Sequence, residues 1–201
     1  PIFREKVFEN GLAFDLLHFP NLQQLICFSS DGTVAAINHS TGKVLRRWPA
    51  LQQGTRSLAF AGARQFAVGH FEGYLRIYDV VTGELKQKLE LEDHKVILVM
   101  RYDPETQRLW VLAEDSIRYL DLETETFSSP WLAPDELTAI VCESTGRSIV
   151  VAMAGGIFQR LHIADDGSLL PADYWTNEGQ RVFAIAADRD GGQILSEDDK
   201  G

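Results

Sequence analysis

One unit of sequence, a short strand, a Thr-Gly turn and a second strand, recurs along this chain. It is plainest from Gly73 to Leu89, GYLRIYDVVTGELKQKL. Aligned copies of its turn fall at Thr41-Gly42, Thr82-Gly83, Thr124-Glu125 and Asp166-Gly167, in steps of 41, 42 and 42 residues. The preceding turn keeps the same time, since Gly32, Gly73, Asp115 and Gly156 follow one another at 41, 42 and 41. Two turn series at one period restrict the fold more than any composition does, because each unit must bury its apolar face against its neighbours.

The first full unit covers 12–48, as LAFDLLHF, QQLICFSS, TVAAINHS and KVLRRW, broken by Pro20-Asn21, Asp31-Gly32 and Thr41-Gly42. These are residues that start turns or tolerate positive φ. The second unit spans 57–91, the third 96–132 and the fourth 137–175, while a fifth begins at 182 and runs to 201. In each, the first two strands are the most apolar and the fourth is polar or mixed. That gradient suits a four-stranded antiparallel sheet whose inner strands lie between neighbouring sheets while its outer strand meets water. No stretch keeps a 3.6-residue apolar period through these turns, so a helical fold is excluded. The expected fold is all-β, a β-propeller with about four full blades and a partial blade at the ends. Residues 2–9, IFREKVFE, stand where later units have their outer strand. A fifth blade of two strands would leave an unpaired edge, so a piece of a longer propeller is expected.

With these residues in view, the units resemble WD40 repeats. IYDVVTGE has that family's strand ending and turn, Asp79 and Asp121 fall at its aspartate, and Glu92-Asp93-His94 is similar to its Gly-His opening. The family's tryptophan is replaced by Ile37, Tyr78, Leu120 and His162, and no unit holds its full His, Ser/Thr, Asp and Trp set. Residues 31–48 also look like the tryptophan-docking repeat of quinoprotein propellers, with Gly32, Ala36, Asn38, Thr41-Gly42-Lys43 and Trp48 in place. The outer strands 84–91 and 126–132 do not repeat that pattern.

Charge narrows the partners. The net charge of −10 divides into 11 basic against 10 acidic residues over 1–100 and 8 against 19 over 101–201, or +1 and −11. A negative surface lacks the attraction that phosphate backbones and anionic lipids require, so neither nucleic acid nor membrane is expected, and a basic protein surface is the favoured complement. Cys27 and Cys142, the two cysteines, sit in the apolar runs LICF and AIVC, as buried hydrophobes rather than a disulfide or zinc pair. No leader opens the chain and no apolar run nears the ~18 residues of a span, so a cytoplasmic location is expected.

Catalytic patterns are absent. The histidines His18, His39, His70, His94 and His162 fall singly, without i, i+4 metal spacing. His94 reads as a turn residue bonding within its blade, and His70 and His39 as surface residues. Asp188-Arg189-Asp190-Gly191 lacks the glycine and ligand that a calcium loop needs at its next positions, and reads as a hairpin turn. Asp165-Asp166-Gly167 and Glu197-Asp198-Asp199 read likewise. Ser57 begins an inner strand and Ser144 a turn. Trp110 belongs to the core, and Trp48, Trp131 and Trp175 to packing between blades.

The resemblance implies a non-catalytic protein-interaction scaffold, without cofactor or metal, part of a larger protein or complex. Its loops between fourth and first strands and between second and third strands share a face. The candidate protein-binding residues are therefore Phe71, Glu72, Glu92, Asp93, His94, Glu114, Asp115, Asp135 and Glu136. Two alternatives are a sensory or regulatory propeller module of a multidomain signalling protein and a quinoprotein-like dehydrogenase.

Overall fold

A computed structural model of the chain describes residues 7–8, 13–48, 55–143, 146–177, 181–187 and 194–198. Blade one comprises β1 (Ala13–Phe19), β2 (Gln24–Ser29), β3 (Val34–Asn38) and β4 (Val44–Trp48). Blade two comprises β5 (Thr55–Phe60), β6 (Gln65–His70), β7 (Tyr74–Asp79) and β8 (Leu85–Glu90). Blade three has β9 (Ile97–Asp103), β10 (Arg108–Ala113), β11 (Ser116–Asp121), β12 (Thr126–Phe127) and β13 (Trp131–Leu132). Blade four has β14 (Leu137–Cys142), β15 (Ser148–Met153), β16 (Ile157–Ile163) and β17 (Leu169–Thr176), and β18 (Val182–Ala187) pairs with β19 (Ile194–Asp198). Strand order within each sheet follows the chain, and every pairing is antiparallel.

Two compact units result, residues 1–95 with blades one and two, and residues 96–201 with the rest. In the first, β1 lies beside β5; in the second, β14 lies beside both β9 and β18. Within each unit, first strands of successive blades are thus neighbours. Side chains of β15 are buried at every position, whereas β8 has no buried residue. The inner strands accordingly read as unbroken apolar runs and the outer ones as polar.

The turn between third and fourth strands is built the same way three times. Asn38 Oδ1 accepts hydrogen bonds from the backbone N–H groups of Ser40 (3.1 Å) and Thr41 (2.8 Å). Asp79 Oδ1 does so for Val81 and Thr82 (both 2.8 Å), and Asp121 Oδ1 for Glu123 (3.0 Å) and Thr124 (2.9 Å). These side chains satisfy amides that the turn leaves without a ladder partner. Gly42, Gly83, Glu125 and Gly167 then take φ of 71°, 74°, 59° and 82°. Glu125 is the one non-glycine residue in this register.

Blade three departs from expectation in its fourth strand. The expected continuous strand over 126–132 is two short pieces, both paired with β11. Between them Ser128 Oγ accepts from Tyr119 N at 3.0 Å while Ser128 N donates to Tyr119 O at 2.9 Å. Pro130, without an N–H, cannot continue the ladder.

Packing between blades rests on aromatic side chains. In the first unit Trp48 is buried against Phe66 and Tyr78, and its Nε1 donates to Gly83 O at 3.0 Å. In the second unit Tyr119 Oη donates to Gly167 O at 3.2 Å. Trp110 is fully buried and makes an edge contact with Tyr119. Trp131 packs partly buried on the cluster of blades three and four, and Trp175 stacks on Phe158 at 5.5 Å, so all four tryptophans take the packing roles expected of them.

Two expectations are corrected. His70 is not a surface residue but is 4% exposed at the end of β6. Glu197 and Asp198 end strand β19 rather than forming a turn. The turn at Asp165-Asp166-Gly167 forms, with Gly167 N donating to Ala164 O at 2.9 Å. The expected outer strand at 2–9, apart from Val7 and Phe8, lies outside the described residues, as do the turns at Ser144, Asp188–Gly191 and Lys200-Gly201.

Candidate functional site

Five of the candidate residues, Phe71, Glu72, Glu92, Asp93 and His94, meet in the first unit, where the β6–β7 turn lies against the chain leaving β8. Leu91 N donates to Gly73 O at 3.0 Å and His94 N to Leu91 O at 3.0 Å. Gly73 makes this approach possible, for a Cβ there would stand 2.9 Å from His94 backbone atoms, at a φ of 75°. His94 itself takes a φ of 52°, and its Nδ1 lies 2.8 Å from Glu90 Oε1. The reading of His94 as a bonded turn residue holds.

Side chains in this group face water. Glu72, Glu92 and Asp93 are exposed, and Phe71 is 45% exposed with the guanidinium of Arg56 5.3 Å from its ring centre. Arg56 was not among the candidates, and only the pairing of β5 with β6 brings it there. Next to it, Thr55 Oγ1 and His70 Nε2 are buried without a hydrogen-bond partner among the described residues. Burial first, and the charge of Arg76 second, push the His70 ring down to about 4. At neutral pH it is an uncharged imidazole.

The other four candidates, Glu114, Asp115, Asp135 and Glu136, meet in the second unit. Ala133 N donates to Asp115 O at 2.8 Å, Leu137 N to Glu114 O at 3.2 Å and Ala154 N to Glu136 O at 2.8 Å. Asp135 Oδ2 accepts from Gly155 N at 3.1 Å, and Glu136 Oε1 lies 2.8 Å from Arg181 Nη2. All four residues are exposed. Each unit therefore gathers its own candidates into one acidic set of loops held by main-chain bonds.

A cleft of about 490 Å³ opens in the second unit at the opposite end of the first strands from Asp135 and Glu136. Its wall includes Arg101, Tyr102, Asp103, Glu105, Cys142, Glu143 and Ile185. The two buried carboxylates in it are engaged in structure. Asp103 accepts from Glu105 N (3.0 Å) and Thr106 Oγ1 (2.7 Å), and Glu143 accepts from Ser148 Oγ and pairs with Arg160 at 3.0 Å. Arg160 continues to Asp173 at 2.8 Å, so the network draws on residues in or just beyond all four strands of blade four. Burial pushes the thiol of Cys142 up to about 12 and that of Cys27 up to about 11, which keeps both protonated and poorly nucleophilic.

No family model matches the sequence, and no curated protein matches it. Among solved structures, the β-propeller domain of Cps50 (Swd1) from Myceliophteria thermophila aligns with 96% of this chain at a TM-score of 0.77 and 14% identity. The chain spans 64% of the length of that domain. As many as 1700 solved chains share such likeness, so what the comparison reads is an architecture and not a partner. That architecture is the one the repeat implied: antiparallel four-stranded blades of a β-propeller.

Proposed function

We propose that the chain is a non-catalytic protein-interaction scaffold that presents its acidic loops to a partner with a basic surface. The observation carrying this reading is the locking of the 71–73 turn against 91–95 through Gly73. Glu72, Glu92 and Asp93 are thereby held at fixed positions around the exposed Phe71. Loops ordered before binding lose little entropy on association, and opposite charge speeds encounter and selects the partner. An exposed aromatic ring beneath an arginine adds an amphipathic anchor.

Charge reversal tests it. The combined variant Glu72→Lys, Glu92→Lys, Asp93→Lys is expected to lose partners captured by the wild-type protein from its source, with an unchanged circular dichroism spectrum. The control Glu84→Lys alters charge at the other end of the strands of the same unit and is expected to retain them. Retention of partners by the first variant and loss by the second would assign binding to the other end of those strands.

A further inference from the structure

His18 and His39 belong to no spaced motif, yet the sheet sets them side by side. His18 on β1 is opposite Leu25 of β2, while His39, just beyond β3, donates its N–H to Gln23 O at 3.0 Å. Both partners sit at the start of β2, so the strands flanking it bring the two rings together there. His18 Nε2 lies 2.9 Å from His39 Nδ1, with ring centres 5.1 Å apart and planes inclined by 36°. His18 is exposed and His39 half-buried, so solvent and solutes reach the pair.

Two imidazole nitrogens at this separation share a proton in the uncharged pair. The same separation is an edge of a coordination polyhedron. With metal–nitrogen bonds of about 2.0–2.1 Å, ligands at right angles stand about 2.9 Å apart and tetrahedral ones about 3.3 Å apart. Imidazole suits copper, nickel and zinc, and right-angled geometry separates the first two from tetrahedral zinc. We propose that His18 and His39 form a two-histidine site for a divalent transition ion, Cu²⁺ foremost and Ni²⁺ next, with water completing the coordination.

Coordination needs both facing nitrogens bare. The proton held between the neutral rings moves through water to the outer nitrogen of its own ring, Nδ1 of His18 or Nε2 of His39. No net proton is released, and no oxidation state changes. The ion then joins the first strand of blade one to its β3–β4 turn, and by binding the folded state alone it stabilises the blade.

The test is titration of the tag-free full chain with Cu²⁺, Ni²⁺ and Zn²⁺ by calorimetry, with electron paramagnetic resonance of the copper form. One Cu²⁺ per chain coupled to two imidazole nitrogens is expected, with affinity in the order Cu²⁺, Ni²⁺, then Zn²⁺. His18→Gln and His39→Gln should each lower copper affinity by roughly 10-fold or more and leave at most one coupled nitrogen. Both should also abolish the copper-induced rise in melting temperature seen in the wild type. His162→Gln, on β16 of blade four, should bind copper as the wild type does. Unchanged affinity in His39→Gln, a spectrum without imidazole coupling, or zinc bound as tightly as copper would overturn the proposal. Melting of the metal-free variants near the wild-type temperature verifies that lost binding is not lost folding.

Discussion

The indole of Trp48 on the last strand of blade one donates its hydrogen bond to the carbonyl of Gly83, the turn glycine of blade two, at 3.0 Å. Tyr119 and Gly167 repeat the relationship in the second unit at 3.2 Å, although the tyrosine stands on a third strand and the tryptophan on a fourth. Gly83 and Gly167 occupy the same register of the repeat. Two different aromatic residues thus reach the same carbonyl of the following blade.

Removing the donor alone should be measurable. Tyr119→Phe is expected to cost about 1 kcal/mol by urea denaturation, the net worth of one hydrogen bond. Trp48→Ala should cost about 3–5 kcal/mol, because the buried ring itself is lost.

Asn38 predicts what its counterparts tolerate. Asp79→Asn keeps the oxygen that accepts from Val81 and Thr82 and at pH 7 should lose only what the charge adds, whereas Asp79→Ala should cost about 1 kcal/mol or more. The backbone N–H of Thr82 before all other groups holds the Asp79 carboxyl below its ordinary range of 3.8. A carboxyl held low in the folded state adds stability above its unfolded value and loses it as pH falls through the folded one. Denaturation of wild type and Asp79→Asn from pH 6 to pH 2 should show the wild type losing its margin below about pH 4, with the asparagine variant lacking that component.

His70 carries a pH dependence of its own. Its ring is near 4 when folded against 6.5 in its ordinary state, so the unfolded chain takes up a proton across that interval and the folded chain does not. Stability is therefore fully present above pH 6.5 and declines as pH falls toward 4. Replacement by the uncharged His70→Gln should flatten the melting temperature over this window. An unchanged slope would show that the ring does not control it.

Arg160 joins the buried Glu143 to Asp173. Arg160→Met leaves Glu143 without its cation and is expected to cost about 3–5 kcal/mol. Adding Glu143→Leu and Ser148→Ala should recover much of that, since no buried carboxylate remains to be satisfied. A double-mutant cycle over Glu143 and Arg160 measures the coupling.

The period made the blades legible, because the turns that punctuate it are chemical: Asn38, Asp79 and Asp121 fold back on their own amides, and the residues that follow take positive φ. In blade one, strand ends consequently fall within two residues of those expected. The split outer strand of blade three was hidden because Ser128 replaces a ladder bond with a side-chain bond, which periodicity does not register. His70 was misplaced for a related reason. Alternation along β6 fails where both faces are covered, and a histidine at the strand's end then reads as polar surface. The candidate loops follow from the repeat together with the resemblance, whereas Arg56, Arg181 and the His18–His39 pair come together only through strand pairing or tertiary packing.

The aromatic bonds between blades point one way along the chain. Trp48 leaves the ribosome 35 residues before the carbonyl that receives it, and Tyr119 leaves 48 residues before Gly167. During synthesis each of these blades must wait, its ring uncovered, for most of the next one to emerge. A pause in translation just after Trp48 or Tyr119 would prolong that exposure, whereas one after Gly83 or Gly167 would let each bond close first.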